Sequence, residues 1–330
     1  MKVAVLGAGA WGTALACHVG RRFQAVLWAR DGALAQQMQR ERTNQRYLPQ
    51  VRFPDGLVAT PDWDEAIHTA DLLVIATPLA GLRSTVTRLA ESAAAQACPV
   101  VWLCKGLEAD SGLLPHEVLN QVWPQARAGA LSGPSFAQEV AAGLPVALVV
   151  AGTHETVAQA CQSALHHGTA RIYRSDDLTG VEAGGALKNI MAIAAGICDG
   201  LSLGQNARAA LLTRGLAEMA RYAAALGGRP ETLMGLAGMG DLVLTCTGNL
   251  SRNRAVGLRL AEGQALSDIL AQLGHVAEGV ACCRAVRARA RVLGVDMPLT
   301  DVVAQVLFED LPARDALERL LARGPREEGV

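Results

Sequence analysis

Three glycines near the amino terminus have the spacing of a loop that binds phosphate groups. Residues 7–12 read G-A-G-A-W-G and directly follow the apolar run Lys2–Leu6, which is typical of a strand. In the pattern G-x-G-x-x-G, Gly7 permits a tight turn, Gly9 lets the backbone approach a pyrophosphate, and Gly12 lets the next helix pack close to the strand. The first turn of that helix also offers unpaired N–H groups. We therefore predict that residues 7–12 bind a dinucleotide.

The choice between NAD and NADP is usually made about 20 residues after such a motif, at the end of the second strand. Here that region reads L-W-A-R-D, so the acid expected for NAD is replaced by Ala29 and Arg30. An arginine at this place can hold a 2′-phosphate or stack on adenine. Asp31 lies one position too late and is expected to cap the following helix. We therefore predict that NADP(H) is accepted, with NAD(H) as the other candidate.

A lysine within an apolar helical stretch has the features of an acid or a base. Lys188-Asn189 follows Gly184-Gly185 and precedes I-M-A-I-A-A-G. A buried lysine is costly unless it is paired, and burial lowers its pKa towards values useful for proton transfer. Asp241, in the turn G-M-G-D-L, could pair with Lys188. Two alternatives stay open, since Lys188 could extend to solvent from the helix edge and Asp241 could be a helix N-cap.

Two turns follow predicted strands, at the sheet edge where α/β proteins bind ligands. Lys105-Gly106 ends the strand P-V-V-W-L-C, and S-G-P-S-F-A at residues 132–137 follows A-G-A-L. Lys105 could reach a phosphate or a nicotinamide, and the second turn suits an anion at the start of a helix. Each could equally be an ordinary strand-end turn.

Two further charged residues are candidates for ligand contacts. Arg252, in S-R-N-R, suits a two-pronged hydrogen bond to a phosphate. Because Arg254 and Arg259 are nearby, the alternative is a basic surface face. Glu278, in H-V-A-E-G, could accept a hydrogen bond from a cofactor or cap a helix.

The elements that would position these side chains differ between the two halves of the chain. The first half alternates helical stretches with short runs that are apolar on both faces, as in strands of a parallel sheet covered by helices. These runs cover residues 2–6, 25–28, 71–76, 99–104 and 146–150. After about residue 180 the pattern becomes Ala/Leu-rich and helical, at residues 207–226, 256–262, 280–293 and 313–321. We predict a dinucleotide-binding domain over 1–180 and an all-helical substrate and catalytic domain over 181–330.

The composition limits the class of protein further. With 51% hydrophobic and 18% charged residues, a disordered chain is excluded, and a formal net charge of −1 gives no general electrostatic reason to bind nucleic acid. The eight cysteines have no C-x-x-C or zinc-finger spacing, so we expect buried thiols in a reducing cytoplasm and no metal site. We expect no transmembrane segment, and Ala/Leu-rich helices offer surfaces for a homodimer.

Taken together, the motifs closely resemble those of the soluble bacterial NAD(P)-dependent glycerol-3-phosphate dehydrogenases. The resemblance runs in order through nearly the whole chain. Its motifs are G-A-G-A-W-G-T at 7–13, C-K-G-L-E at 104–108, S-G-P-S-F-A at 132–137, G-G-A-L-K-N at 184–189, N-A-R-A-A-L-L-T-R-G-L-A-E-M at 206–219, G-L-A-G-M-G-D-L-V-L-T-C-T at 235–247, S-R-N-R at 251–254 and V-A-E-G at 276–279. Ala10 replaces a frequent serine and Cys104 a common threonine.

The resemblance implies a Rossmann-type domain followed by a helical domain like the C-terminal part of 6-phosphogluconate dehydrogenases. It implies that Lys188 is the proton donor and acceptor, with Asp241 and Lys105 as further catalytic residues. Implied substrate contacts are Lys105, Gly133, Ser135, Lys188, Asn189, Asp241, Thr245, Ser251, Arg252 and Asn253. Implied cofactor contacts are Gly7, Gly9, Ala10, Trp11, Gly12, Arg30, Lys105, Ala137, Arg252, Val276 and Glu278.

The implied reaction is reversible hydride transfer between NAD(P)H and C2 of dihydroxyacetone phosphate, which gives sn-glycerol 3-phosphate for glycerophospholipid synthesis. One alternative is a β-hydroxyacid or ketoacid reductase, which would prefer a carboxylate to a phosphate. The other is a non-catalytic NAD(P)H sensor, which would keep the glycine loop but have no need for Lys188 beside Asn189.

Overall fold

The computed structural model describes residues 1–273 and 277–321, in two compact units. Unit 1 comprises Met1–Cys104 and Pro115–Leu178, and unit 2 comprises Lys105–Leu114 with the chain from Thr179 onwards. The boundary between the two units lies after Leu178, two residues before the expected boundary at 180. Residue 180 lies inside a helix. The segment 105–114 belongs to unit 2, although the residues on both sides of it belong to unit 1. A prediction with a single domain boundary does not include such an excursion.

Unit 1 contains all ten strands of the described residues. They are β1 (Lys2–Leu6), β2 (Gln24–Trp28), β3 (Thr43–Asn44), β4 (Leu48–Arg52), β5 (Leu57–Thr60), β6 (Leu72–Ile75), β7 (Val100–Trp102), β8 (Ala128–Ser132), β9 (Val146–Gly152) and β10 (Ala170–Ser175). Its helices are α1 (Ala10–Gly20), α2 (Gly32–Glu41), α3 (Trp63–Ile67), α4 (Leu82–Ala90), α5 (Pro115–Val122), α6 (Ala137–Ala142) and α7 (Glu155–Leu165).

Eight of these strands form one sheet in the order β10-β9-β8-β7-β6-β1-β2-β5. Only β8 and β9 pair antiparallel, and every other neighbouring pair is parallel. The central strands β1, β6 and β7 are almost entirely buried, since helices cover both faces. The predicted doubly wound, mostly parallel sheet is confirmed.

Two strands of the sheet are absent from the sequence prediction because their patterns are weak. The edge strand β10 alternates buried and exposed residues over A-R-I-Y-R-S, unlike the continuous apolar runs of the interior. The strand β5 is only four residues long and pairs with β2. A separate two-stranded hairpin of β3 and β4 precedes β5.

Unit 2 contains helices and no strand among its described residues. Its helices are α8 (Leu178–Gly200), α9 (Gly204–Ala225), α10 (Asp241–Thr247), α11 (Arg252–Ala261), α12 (Leu266–Leu273), α13 (Glu278–Leu293), α14 (Pro298–Phe308) and α15 (Ala313–Leu321). The helix α8 forms the centre of the core, with every residue from Gly180 to Cys198 buried. Leu107 and Leu114 belong to the same core, which explains why segment 105–114 groups with these helices.

Small residues allow α8 and α11 to pack at very short distance. A Cβ on Gly196 would lie 2.1 Å from the Arg254 carbonyl oxygen, and a Cβ on Gly257 would lie 2.0 Å from the Ile193 carbonyl oxygen. Any larger side chain at either position would push the helices apart, because backbone atoms cannot yield as a side chain can. This contact fixes where α11 begins relative to α8.

Within the described residues, α8 is the one helix long and apolar enough to span a membrane, with a mean hydropathy of 1.3. However, 94% of that stretch is buried inside the protein. A central core helix has the same length and composition.

Candidate active site

The glycine loop of unit 1 has the shape that a dinucleotide needs. Gly7 has φ +129°, and a Cβ there would lie 2.7 Å from the Ala76 carbonyl carbon. A Cβ on Gly12 would lie 2.0 Å from the Gly7 carbonyl oxygen, whereas a Cβ on Gly9 would meet nothing within 4 Å. Gly7 and Gly12 are therefore needed for packing, and the open space at Gly9 leaves room for a pyrophosphate. The residues present fit the group that the motif predicts.

The other residues that the sequence associates with a cofactor in unit 1 lie at element ends. Ala10 and Trp11 begin α1 and are partly buried, and Ala137 begins α6. Arg30 lies two residues after the end of β2 and is exposed, so its guanidinium can reach a ligand. Asp31 accepts hydrogen bonds from the backbone amides of Ala33 and Leu34, at 3.0 and 3.2 Å, so its predicted capping role is confirmed.

The turn after β8 also lies in unit 1. Gly133 has φ +126°, and the Ser135 hydroxyl donates to the Gly133 carbonyl oxygen at 3.0 Å. This bond holds the turn closed before α6 begins.

In unit 2, one buried carboxylate binds two lysines. Lys188 Nζ lies 2.5 Å from Asp241 Oδ1, and Lys105 Nζ lies 2.5 Å from Asp241 Oδ2. Lys188 also donates to the Thr245 hydroxyl at 3.0 Å, and that hydroxyl donates to the Asp241 carbonyl oxygen. Asp241 is 1% exposed and Lys188 is 8% exposed. The prediction that Asp241 pairs with Lys188 is confirmed, and Asp241 is not an N-cap because Gly240 takes that position.

Helix periodicity and two glycines bring these groups together. Gly184 and Lys188 lie one turn apart on the same face of α8, as Asp241 and Thr245 do on α10. A Cβ on Gly184 would lie 2.5 Å from the Ala237 carbonyl oxygen, so only glycine lets the segment before α10 approach this face. That segment, Leu236–Gly240, is a single π-helical turn leading directly into α10. Such turns are rare in proteins and frequently occur at functional sites.

Burial and mutual charge set the ionisation of the cluster. Burial lowers the pKa of Lys188 to about 8, and Lys105 adds to the effect while Asp241 opposes it. Burial disfavours the charged form of Asp241, but the two ammonium groups together hold the pKa of its carboxyl below the usual value. Near neutral pH Asp241 is therefore a carboxylate, and Lys188 is an ammonium group that can lose its proton more readily than a lysine in water.

A second polar network lies beside the lysines, between α8, α11 and α13. Asn253 donates to the Asn189 side-chain oxygen at 3.0 Å and accepts from the Gly279 amide at 3.1 Å. Ser251 caps α11 by accepting from the Arg254 amide at 3.2 Å. Because Asn189 follows Lys188 directly, this network fixes the start of α11 next to the lysine cluster.

Arg252 is the first residue of α11 and is exposed, so its guanidinium can meet a ligand. Arg254 is different, because it makes bonds of 2.9 and 2.7 Å to the Asp199 carboxylate. Arg208 binds the same carboxylate at 3.1 Å. Arg254 is therefore paired with Asp199 and mostly buried, so it is not part of an exposed basic face beside Arg252. The sequence carries no signal for this pairing, since arginine is a common surface residue.

Glu278, which begins α13, is partly buried near three positive groups. Burial raises the pKa of its carboxyl, and the charges of Arg252, Lys105 and Lys188 act in the opposite direction. Val276, the remaining residue of the predicted cofactor set, lies outside the described residues.

Comparison with known protein families shows the family of the chain. A family model described as the NAD-dependent glycerol-3-phosphate dehydrogenase N-terminus matches residues 2–158, and the corresponding C-terminus matches residues 177–318. The chain belongs to the NAD-dependent glycerol-3-phosphate dehydrogenase family. The resemblance read from the motifs is thereby confirmed.

Individual relatives support membership of this glycerol-3-phosphate dehydrogenase family. The chain is 55% identical over 337 residues to a glycerol-3-phosphate dehydrogenase [NAD(P)+] of Acidovorax sp. (strain JS42), covering 99% of each. It resembles the crystal structure of a glycerol-3-phosphate dehydrogenase from Coxiella burnetii with a TM-score of 0.93 and 42% identity, covering 98% of this chain and 99% of the other.

A more distant solved structure shares the fold alone. A probable 2-dehydropantoate 2-reductase from Bacillus subtilis matches with a TM-score of 0.55 and 16% identity, covering 93% of this chain and 99% of the other. At this identity the match shows a shared fold and is no evidence for the ketoacid reductase alternative.

Proposed function

We propose that this protein catalyses the reversible NAD(P)H-dependent reduction of dihydroxyacetone phosphate to sn-glycerol 3-phosphate. The observation that carries the proposal is the buried pair of Lys188 and Asp241, joined by Lys105, in an NAD(P)-dependent dehydrogenase of this family. A sensor that only bound the cofactor would gain nothing from a buried lysine whose pKa is lowered to about 8.

Lys188 is the proposed proton donor to the oxygen at C2 of the substrate. Bound NAD(P)H supplies a hydride, so negative charge develops on that oxygen, and a nearby ammonium group stabilises the charge before giving up its proton. Asp241 and Thr245 hold the Lys188 amine in one orientation. Lys105 adds a second positive charge, which lowers the pKa of Lys188 and so eases release of the proton. In the oxidation direction, neutral Lys188 accepts the proton.

The phosphate of the substrate is assigned to the start of α11. Arg252 offers a planar fork of donors suited to phosphate oxygens, and the first turn of a ten-residue helix adds unpaired amides. Asn253 and Asn189 hold each other in place beside it. The remaining proposed substrate contacts are Lys105, Gly133, Ser135, Lys188, Asp241, Thr245 and Ser251.

The cofactor is assigned to the glycine loop of unit 1 and to the further residues that the family resemblance implies. These are Gly7, Gly9, Ala10, Trp11, Gly12, Arg30, Lys105, Ala137, Arg252, Val276 and Glu278. The exposed guanidinium of Arg30, with alanine where NAD-selective proteins have an acid, favours use of NADPH.

The proposed product is the phosphorylated backbone of glycerophospholipids, so we infer a role in supplying phospholipid synthesis in the cytoplasm. We also propose a homodimer, because Met234, Val243 and Val292 of unit 2 are exposed apolar side chains. Light scattering on the purified protein would give the mass of the assembly.

The substrate is tested by following oxidation of NADPH and NADH by the purified protein with three compounds. These are dihydroxyacetone phosphate, unphosphorylated dihydroxyacetone and a 2-oxo acid. We expect turnover on the phosphate, a loss of at least about 100-fold in kcat/KM without it, and none on the acid. Equal rates with both ketones would contradict the phosphate assignment, and turnover on the acid alone would favour a ketoacid reductase.

A further inference from the structure

The side chain of Asn44 lies under the glycine loop of unit 1, 36 residues from it in sequence. Its amide nitrogen donates to the Ala8 carbonyl oxygen at 2.9 Å and to the Thr13 hydroxyl at 2.8 Å. Its amide oxygen accepts from the Tyr47 backbone amide at 3.3 Å. Asn44 and Thr13 are both fully buried. Both N–H donors of the amide are therefore used on the loop and on the helix that follows it.

These bonds determine the direction of the loop's own donors. A peptide unit is planar and trans, so its carbonyl and N–H groups point in opposite directions. Because Asn44 holds the Ala8 carbonyl oxygen on the buried side, the Gly9 N–H faces the other side. The space beside Gly9 is open, since a Cβ there would meet nothing within 4 Å. The second bond, to Thr13, holds α1 in place one turn after Gly9, whose carbonyl oxygen accepts from the Thr13 amide at 2.9 Å.

We propose that Asn44 is a positioning residue that preorganises residues 7–12 for the pyrophosphate of the cofactor. It acts through Ala8 and Thr13 and does not touch the cofactor itself. A loop whose amides already face the ligand loses less conformational entropy when the cofactor binds. Loss of Asn44 therefore weakens cofactor affinity more than it slows the chemical step. The inference rests on the cofactor part of the proposed function.

This assignment gives the hairpin of β3 and β4 a role, which is to hold Asn44 in position. Asn44 is one of the two residues of β3, and Leu48 at the start of β4 packs against Ala14 and the helix α6 residues Val140 and Ala141. The hairpin therefore holds Asn44 against the loop and the first helix together. From a mobile segment, the Asn44 side chain could not keep its bonds to both Ala8 and Thr13.

The test is the variant Asn44→Asp, which keeps the size of the side chain but removes both donors and adds a negative charge under the loop. We expect the Kd for NADH, measured by its fluorescence without substrate, to rise by about tenfold or more. The KM for NADH should rise more than kcat falls at saturating cofactor. Thr13→Val, which removes only one acceptor, should raise the Kd by about two- to fivefold.

Gln162→Met is the matched control within unit 1. It removes a side-chain bond of 3.1 Å to the Ile172 carbonyl oxygen in the contact between α7 and β10. We expect the control to lower the melting temperature while the NADH Kd stays at the wild-type value. If Asn44→Asp binds NADH like the wild type, or if Gln162→Met weakens binding equally, the positioning role is wrong.

The same titration of the wild-type protein separates this inference from the proposed function. If the wild type binds neither NADH nor NADPH, the cofactor assignment of residues 7–12 is contradicted, and with it the basis for Asn44. If the wild type binds NADH and the Asn44→Asp variant binds it with equal affinity, only the role of Asn44 is contradicted.

Discussion

At the scale of single residues, the site depends on one carboxylate shared by two amines. Asp241 stabilises both ammonium groups, yet burial still lowers the pKa of Lys188 to about 8. A lysine in water titrates more than two pH units higher and would be a poor source of protons for catalysis near neutrality. The environment therefore makes an ordinary amine an acid that works near physiological pH.

The first prediction concerns the pH dependence of the two directions. Reduction needs protonated Lys188, so its kcat/KM should fall as pH rises through about 8, where the folded protein's Lys188 loses its proton. Oxidation needs the neutral amine and should accelerate through the same range. Initial rates between pH 6.5 and 9.5, in both directions on one preparation, measure this. Profiles that are flat, or that change in the same sense in both directions, would contradict the assignment.

Several site residues could be predicted from the sequence because their types are unusual for their surroundings. Lys188 and Asp241 are charged residues in apolar, glycine-containing stretches, and burial of such residues requires a partner. Asn44 and Arg254 could not be found in this way. Asparagine and arginine are common on surfaces, and only the fold shows that these side chains bind Ala8 and Asp199.

At the scale of elements, the site depends on how closely helices approach α8. Gly184 admits the π-helical turn that carries Asp241, and Gly196 with Gly257 admits α11, which carries Arg252. Glycine costs conformational entropy within a helix, so its presence here reflects the short distance between backbones. Both the proposed acid–base pair and the proposed phosphate contact are placed by these small residues.

The second prediction tests the contact between α8 and α11. Gly257→Ala places a Cβ 2.0 Å from the Ile193 carbonyl oxygen, so the helices must separate. We expect a loss of about 1–3 kcal/mol in the free energy of unfolding, measured with urea. The KM for dihydroxyacetone phosphate should rise more than the KM for NADPH, because Arg252 begins α11.

Gly32→Ala is the control for this substitution. Gly32 begins α2, and a Cβ there would have its nearest contact at 3.8 Å, so alanine fits without strain. Its effect on stability should be neutral or slightly favourable. If Gly257→Ala behaved like Gly32→Ala, the close packing of these helices would not be what places Arg252.

The elements themselves were predictable to different degrees. Strands such as β1 and β6 are continuous apolar runs, and α15 begins and ends where its periodicity indicates. The strands β5 and β10 were missed, because a short strand and an alternating edge strand lack that signal. Hydrophobic periodicity indicates which faces of an element are buried. This signal is weak for strands at the edge of a sheet.

At the scale of the whole molecule, the chain divides its tasks between two units. The dinucleotide loop belongs to unit 1, whereas Lys188, Asp241 and Lys105 belong to unit 2. Lys105 belongs to unit 2 because the chain leaves unit 1 after Cys104 and returns to it at Pro115. The change of hydrophobic pattern near residue 180 indicated two parts, but it could not reveal this excursion. The segment 105–114 is too short to have a period of its own.

The most direct test of the account is the variant Lys188→Met, compared with the wild type in two measurements on the same preparation. One measurement is the Kd for NADPH, and the other is kcat with dihydroxyacetone phosphate. Because the glycine loop lies in unit 1, we expect cofactor affinity to stay within about twofold, while kcat falls by about 100-fold or more with the loss of the acid. A variant that keeps near wild-type kcat would contradict the central role of Lys188.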